Sequence, residues 1–289
     1  MAASLRGVRC AAPALGRSLL LVPSLEHLPA LGSPRADAPA WRRWTGALLD
    51  LVFPPFCPVC RAALEEDRRD PLCGACWRAL PRIAPPWCRC CGQPMRAFPS
   101  SASPRDAAGR DPLCGACRRR APAFAYARAA LRYEDTAREA LHAFKFGGHR
   151  ALAVPLADVV VDVLAERWPA GSPDVLVPVP LHPRRERERG FNQSGLLARR
   201  LGRAWGCPVH PDVLARVVAT ESQTALDGAA RLANVRDAFR LRRPELVAGL
   251  HVVLVDDILT TGATVSACAR AVGAGGARRV GVVAVARVV

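Results

Sequence analysis

The sequence predicts an α/β fold, with a parallel sheet flanked by helices, preceded by a small cysteine-rich domain. Eight of the twelve cysteines form four C-x-x-C pairs between residues 57 and 117. From residue 123 onward cysteines become sparse, and Val-rich runs alternate with helical patterns. Such runs suit strands that are buried on both faces of a parallel sheet. A length of 289 residues also fits two domains.

Composition divides the chain into three parts. Residues 1–45 are rich in Ala, Leu, Pro and Arg without a sustained period, which predicts a flexible extension. Residues 46–122 form the cysteine-rich domain, and residues 123–289 form the α/β domain. In the α/β domain we predict helices at 154–168, 194–205 and 265–272 and strands at 175–179, 252–255 and 280–285.

The charge of the chain favours anionic partners. Its net charge is +16, from 41 basic and 25 acidic residues, and Lys145 is the only lysine. The basic residues are spread along the chain, so the charge alone does not identify a nucleic-acid module. No apolar run reaches the ~18 residues of a membrane span, and no export signal is evident. We therefore expect a cytoplasmic protein without membrane insertion.

The cysteine pairs predict two structural zinc sites in tandem zinc ribbons. In a chain without an export signal such pairs indicate metal binding, with a disulfide or redox segment as the alternative. The stretch Asp70–Pro81 recurs as Asp111–Pro122, and another C-x-x-C pair precedes each copy. Four thiolates fill a tetrahedral shell, and we expect chelation to unfold residues 46–122 alone. The predicted ligands, chosen over Cys90 by spacing, are Cys57, Cys60, Cys73 and Cys76, and Cys88, Cys91, Cys114 and Cys117.

A second motif lies late in the α/β domain. A hydrophobic strand ends in Asp256 and Asp257 and is followed by a loop of small and hydroxyl residues, Thr260–Thr264, that opens into a helix. Ligands bind at the carboxyl ends of parallel strands, and such a loop can wrap a phosphate with backbone N–H groups at the helix N-terminus. The carboxylates would repel phosphate and instead suit ribose hydroxyls, with or without a divalent metal. The alternative is a turn in which Asp257 caps a helix.

The stretch Val255–Thr264 resembles the phosphoribosyl-diphosphate (PRPP) binding motif of type I phosphoribosyltransferases. Together with the cysteine pairs, residues 46–289 resemble the ComF family, phosphoribosyltransferase-like competence proteins with an N-terminal double zinc ribbon. The resemblance implies a type I phosphoribosyltransferase-like sheet and Mg²⁺ bound together with PRPP. By the same resemblance, ribose would contact Asp256 and Asp257, and the 5′-phosphate would contact Thr260, Thr261, Gly262, Ala263 and Thr264.

The resemblance also implies contacts to the diphosphate and a mobile loop. The diphosphate would face the stretch after the first core strand, through Arg185, Arg189, Gly190, Asn192 and Gln193. For Arg185 the alternative is a solvated face on which neighbouring glutamates neutralise it. Gln223 and Arg231 would belong to a loop that closes over substrate, or to an exposed polar loop. The single lysine, Lys145, either supplies an ammonium near phosphate or has no special role.

Three functions remain open at this point. The chain is a phosphoribosyltransferase of unidentified acceptor, a PRPP or nucleotide sensor without catalysis, or a component of DNA uptake that binds single-stranded DNA or other uptake proteins. Thr260 stands where hypoxanthine-salvaging relatives carry a carboxylate, which disfavours that salvage reaction. Arginines interleaved with Trp77 and Trp87 in the ribbons would suit single strands. The alternative is that these tryptophans cover the ribbon cores and the arginines are solvated.

Overall fold

The fold is a parallel α/β sheet, as the sequence predicts. The structure, a computed structural model, describes residues 56–64, 71–95, 112–165, 172–218 and 238–289. The predicted extension and the predicted mobile loop with Gln223 and Arg231 lie outside these residues. The four parallel strands have the order β1-β6-β5-β2, and β3 pairs antiparallel with β4. The strands are β1 Tyr126–Arg132, β2 Val175–Pro178, β3 Leu214–Arg216, β4 Phe239–Leu241, β5 His251–Leu259 and β6 Arg279–Arg287.

The helices cover both faces of the sheet and two of them are short turns in the ribbons. They are α1 Gly74–Arg78, α2 Gly115–Arg119, α3 Asp135–Phe146, α4 Ala153–Leu164, α5 Pro183–Arg189, α6 Gln193–Trp205 and α7 Ala263–Ala274. Short 3₁₀ turns occur at Arg150–Leu152 and Pro244–Leu246. In the part of the chain that the structure describes, no helix is long and apolar enough to cross a bilayer.

The sequence pattern missed several elements and misplaced one strand end. It did not predict β1, whose Ala-rich sequence lacks the β-branched residues that mark the other strands. It also did not predict α3, α5 or the β3–β4 pair. The strand β5 does not end at the two carboxylates, because it continues through Asp256 and Asp257 to Leu259, which pairs with Arg287 of β6. Continued pairing to β6 therefore holds both acids on a regular strand.

Alternate residues of the central strands enter two separate cores. On one face, Val253 and Val255 of β5 pack with helices α3, α4 and α6. On the other face, Val252 and Leu254 pack with α7 and with β3 and β4. Burial of both faces explains the continuous Val-rich runs of the central strands.

The ribbons dock on the β1 edge and share both cores. Cys57 and Leu72 enter the core with α3 and α4, whereas Trp87 enters the core with α7. Backbone hydrogen bonds also join the ribbons to β1. Ala127 N–H donates to Cys90 O over 2.6 Å, and Ile83 N–H donates to Ala130 O over 2.8 Å. This packing argues against our expectation that chelation would unfold the ribbons alone. The boundaries at residues 45 and 122 stay predictions.

The packing of Tyr126 over Gly281 gives a test of the fold. In Gly281→Ala the new Cβ would lie 2.3 Å from Tyr126 Cζ, and we expect it to lower the free energy of unfolding by about 1–3 kcal/mol. The control is Gly273→Ala in α7, where a Cβ meets no described atom within 4 Å. This variant should be stabilised by up to about 1 kcal/mol. Urea unfolding measures both, and an equal loss in the two variants would contradict the packing.

Candidate functional site

The loop after β5 has the geometry of an anion-binding turn. Gly262 precedes α7 with φ 77°, a left-handed conformation that glycine adopts without strain. The N–H of Ala263 donates to Thr261 Oγ1 over 3.4 Å. The helix is 12 residues long, so its first N–H groups and the positive end of its dipole face the loop. Thr260 and Thr261 are exposed, which leaves their hydroxyls open to a ligand.

The two carboxylates before this loop occupy different environments. Asp256 Oδ1 accepts hydrogen bonds from Ser194 Oγ at 3.2 Å and from the Asp257 N–H at 2.9 Å. Burial and the charge of Asp257 raise the pKa of Asp256 to about 7, while Lys145 and these hydrogen bonds act in the opposite direction. The site therefore needs cations nearby.

The only lysine of the chain provides one of these cations. Lys145, near the end of α3, places Nζ 3.0 Å from Asp257 Oδ1. The two side chains are 19% and 11% exposed, respectively, so the ion pair is shielded from solvent. The structure thus places Lys145 in the site, against a carboxylate.

Two arginines of α5, Arg185 and Arg189, form a second cationic group beside this pair. Arg189 donates to Gln193 Oε1 over 3.2 Å, and its guanidinium lies 5.0 Å from the centre of the Phe146 ring. Burial lowers the pKa of Arg189, and the charge of Asp257 opposes that shift. Arg185 lines the same cleft of about 470 Å³ as Lys145, Phe146 and Arg189. The structure brings these predicted residues together.

Two other residues of the predicted diphosphate stretch have structural contacts. Asn192 caps α6, because its Oδ1 accepts from Gly195 N–H at 3.4 Å and its Nδ2 donates to Val179 O over 3.2 Å. Gly190 ends α5 with φ 73°. Both residues shape the turn between α5 and α6. The hydrogen bonds of the Asn192 side chain go to Val179 and Gly195 and not to the carboxylates.

Sequence reasoning missed Ser194 and Arg216. Arg216, at the end of β3, packs 5.6 Å from the centre of the Phe239 ring. Burial lowers its pKa, Arg185 acts in the same direction and Asp256 opposes it, so Arg216 faces the same site from another element. A three-residue strand gives no periodic signal. Ser194 directly follows the predicted residue Gln193, and only its hydrogen bond to Asp256 identifies it as part of the site.

The cysteines gather into the two predicted sets of four. Within each set the sulfur atoms lie within 4.8 Å of one another. Backbone N–H groups support them, since Cys76 N donates to Cys73 Sγ over 3.4 Å and Cys114 N donates to Cys88 Sγ over 3.3 Å. Cys90 lies outside both sets, with its Sγ 3.9 Å from Phe124 O. Four convergent thiols per cluster fit a closed, tetrahedral zinc shell.

The two tryptophans of the ribbons, Trp77 and Trp87, pack inward. Trp87 is 6% exposed and lies beneath Arg128, whose guanidinium is 5.4 Å from the ring centre. Trp77 packs against the core with Arg82 at 5.9 Å. These tryptophans therefore cover the ribbon cores. Among the residues of the second ribbon that the structure describes, Arg118, Arg119 and Arg120 form an exposed polar run.

Comparison with known proteins agrees with this arrangement. Residues 48–118 match the model of a double zinc ribbon domain, and residues 153–288 match that of a phosphoribosyl transferase domain. Over 133 residues the chain is 42% identical to the DNA utilization protein YhgH of Salmonella typhi, covering 45% of this chain and 58% of that protein. Over 143 residues it is 32% identical to the competence protein ComFC of Bacillus subtilis, covering 50% and 56%. The chain belongs to the ComF family.

This ComF-family chain spans little more than half the length of the curated relatives that it matches. A solved adenine phosphoribosyltransferase is 20% identical, with 56% of this chain and 82% of that chain covered and a TM-score of 0.32. That likeness is too low to inform the site. The double zinc ribbon model and the two cysteine clusters together identify structural zinc.

The clusters predict the metal content of the protein. We expect about two zinc ions per chain, with Cys91→Ser losing one of them because it opens a thiolate shell. Cys90→Ser is the matched control and should keep both. Because the ribbons share the cores of the sheet, chelation should also lower the melting temperature of the α/β domain. Metal analysis and thermal unfolding measure these effects, and zinc loss in Cys90→Ser would contradict the ligand set.

Proposed function

We propose that this ComF-family protein binds PRPP as its Mg²⁺ complex and transfers the phosphoribosyl group to an acceptor, in the cytoplasm and in the service of DNA uptake. The proposal rests on the paired carboxylates on β5, which lie directly before an anion-binding turn and beside a cluster of half-buried cations. The names of the relatives, DNA utilization protein and competence protein, support the link to DNA uptake.

The proposed ligand fits the site from its 5′-phosphate to its ribose. The phosphate would accept hydrogen bonds from the N–H groups of residues 261–264 and from the threonine hydroxyls. The ribose hydroxyls would donate to Asp256 and Asp257, which are acceptors when ionised. Ser194 already donates to Asp256, and this contact orients the carboxylate for the sugar.

The cations beside the carboxylates suit the diphosphate. Lys145, Arg185 and Arg189 line one cleft, and guanidinium groups bind phosphate oxygens in pairs. Gln193 is 1% exposed, and its Nε2 donor has no partner within the described ranges. Such a donor would gain a partner in a diphosphate oxygen. Lys145 would then exchange its contact with Asp257 for the ligand.

The site also fits a divalent cation. Mg²⁺ prefers oxygen ligands, and Asp256 and Asp257 present carboxylate oxygens beside the place of the ribose and diphosphate. When bound with PRPP, the cation supplies charge neutralisation of the departing diphosphate. The residues of this chain would orient the sugar and exclude water, and the segment with Gln223 and Arg231 is proposed as the lid.

Binding of PRPP tests the carboxylate assignment. Asp256→Asn combined with Asp257→Asn should abolish PRPP binding. The amides lack the negative charge that strengthens hydrogen bonds from the ribose hydroxyls, and the change also removes the charged partner of Lys145. Thr261→Val should weaken binding less, since the backbone amides remain. Asp212→Asn, an exposed acid paired with Arg243, is the control. Calorimetry with Mg²⁺ measures the affinities, and unchanged binding in the double variant would remove the ribose assignment.

Release of diphosphate separates the transferase from a sensor. A transferase should release diphosphate from PRPP when a suitable acceptor is added, and a sensor should bind PRPP without turnover. A screen of candidate acceptors for diphosphate release therefore decides between these two forms of the proposal.

The exposed arginines of the second ribbon favour single-stranded DNA as a second ligand. Such contacts release counterions, with a slope of about −0.7 in log–log salt dependence per phosphate contact. Arg118→Ala with Arg119→Ala should reduce the salt slope by roughly one unit. The two-charge control is Arg199→Ala with Arg203→Ala on α6. Fluorescence anisotropy with oligonucleotides of several sequences measures the slope, and an equal change in both double variants would exclude a ribbon-specific site.

A further inference from the structure

The end of α3 contacts three parts of the molecule through three successive residues. Phe144 is buried, and its ring centre lies 5.7 Å from that of Phe191 in the turn between α5 and α6. Lys145 forms the ion pair with the second carboxylate of β5. Phe146 is exposed and lies beneath the guanidinium of Arg189. Successive residues of a helix point about 100° apart, so this helix end joins the α5–α6 turn to the carboxylate strand.

Arg150 makes a second connection between the same two segments. Its Nη2 donates to Gly190 O over 2.5 Å, and its guanidinium lies 4.9 Å from the centre of the Phe191 ring. Gly190 ends α5, and the carbonyl groups at the C-terminus of a helix favour a cationic donor. Arg150 therefore holds the α5–α6 turn at its first two residues.

The two cation–π contacts between these segments are reciprocal. The end of α3 supplies the ring of Phe146 to Arg189, whereas the α5–α6 turn supplies the ring of Phe191 to Arg150. Each segment thus contributes one ring and one guanidinium, and we call these four residues the clasp. Because the clasp joins the segments at two points, it fixes the orientation of the turn as well as its distance from α3.

The chain before Arg150 forms a tight turn that requires glycine. Gly148 has φ 69°, a left-handed conformation that glycine adopts without strain. A Cβ on Gly147 would lie 2.7 Å from His149 Cδ2 and 2.8 Å from Ala143 O. The N–H of Arg150 donates to Gly148 O over 2.8 Å. This turn brings the side chain of Arg150 back to the end of α5.

The turn held by the clasp carries groups that the proposed function gives to the diphosphate. Arg189 directly precedes Gly190 and donates to Gln193 Oε1 over 3.2 Å. Gln193 begins α6 and is buried. Of the described residues, those that line the diphosphate cleft do not include Arg150. Arg150 thus contacts the backbone that carries these groups, from outside the cleft.

We propose, on the basis of the proposed function, that Arg150 is a positioning residue for the diphosphate. It holds Arg189 and Gln193 at a fixed distance from the ammonium of Lys145, so that one diphosphate contacts all three groups without reordering the turn. Groups that are already in place lose less conformational freedom on binding. Arg150 itself keeps its two contacts throughout and does not touch the ligand.

This role affects one end of the ligand and spares the other. The carboxylates and the loop after them are held by the pairing of β5 with β6, which does not involve Arg150. Ribose 5-phosphate carries the sugar and the 5′-phosphate without a diphosphate, so its affinity reports on the strand and the loop. Inorganic diphosphate reports on the cleft. A general loss of fold or of positive charge would weaken both probes, because both are anions.

The binding test compares Arg150→Ala with the wild type as full-length, zinc-loaded protein with Mg²⁺. By calorimetry the variant should bind PRPP and inorganic diphosphate about tenfold more weakly, because it loses a charged hydrogen bond that orders a binding turn. Its affinity for ribose 5-phosphate should be unchanged. The matched control is Arg138→Ala, which removes an exposed arginine of α3 that pairs with Glu139. This control should bind all three probes as the wild type does.

Hydrogen exchange tests the position of the turn without any ligand. In Arg150→Ala the amides of residues 189–193 should exchange faster, because the turn opens more often. The amides of β5 and β6 should keep their protection. Arg150 is exposed, so its replacement should leave the fold intact.

Three results would overturn the role of Arg150. They are unchanged exchange in residues 189–193, equal losses of affinity for ribose 5-phosphate and diphosphate, and an equal loss of diphosphate affinity in Arg138→Ala. Failure of the wild-type protein to bind PRPP would instead overturn the proposed function. In that case, faster exchange together with weaker binding of inorganic diphosphate in Arg150→Ala would still support the positioning of the turn.

Discussion

Two adjacent carboxylates on a largely buried strand end impose the main electrostatic constraint on this molecule. Loss of solvent and the neighbouring charge of Asp257 raise the pKa of Asp256 to about 7. The fold offsets this cost by placing cations and a hydroxyl donor around the carboxylates. They are Lys145 from α3, Arg189 from α5, Arg216 from β3 and the hydroxyl of Ser194. The cations that stabilise the two carboxylates are therefore already in place for an anionic ligand.

The zinc ribbons need stabilisation from outside their own small cores. Segments as short as α1 and α2, of five residues each, cannot form a sufficient core of their own. Two thiolate clusters hold their turns, and the sheet supplies the remaining apolar contacts through Leu72 and Trp87. Docking on the β1 edge also covers strand groups that would otherwise be unpaired. The ribbons become part of the α/β structure rather than an appended module.

This docking places a ribbon surface beside the proposed sugar site. Arg287 joins the two, because it ends β6 opposite Leu259 and also hydrogen-bonds the backbone of Cys91. In the proposed transferase, the cleft that Lys145, Arg185 and Arg189 line receives the leaving diphosphate. The zinc clusters would then contribute by holding the ribbon against the sheet, without taking part in the chemistry.

The local features of this protein could be predicted from short stretches of its sequence. The cysteine spacing indicated both thiolate clusters, and the run from Val255 to Thr264 indicated a strand, an anion-binding turn and a helix. These features depend on residues that are close in the chain. Longer-range features could not be predicted in this way. The Ala-rich β1 lacks a strand pattern, and the regular pairing of β5 past Asp257 depends on β6.

Tertiary structure alone decided which distant side chains meet. Nothing in the sequence around Lys145 or Arg216 indicates that these cations face Asp257 and Asp256, because their elements pack against one another only in the folded sheet. The docking of the ribbons on β1 arises in the same way, and it includes the backbone hydrogen bond between Ala127 and Cys90. Such contacts result from burial of shared apolar surface, which is a property of the whole fold and leaves no local pattern in the chain.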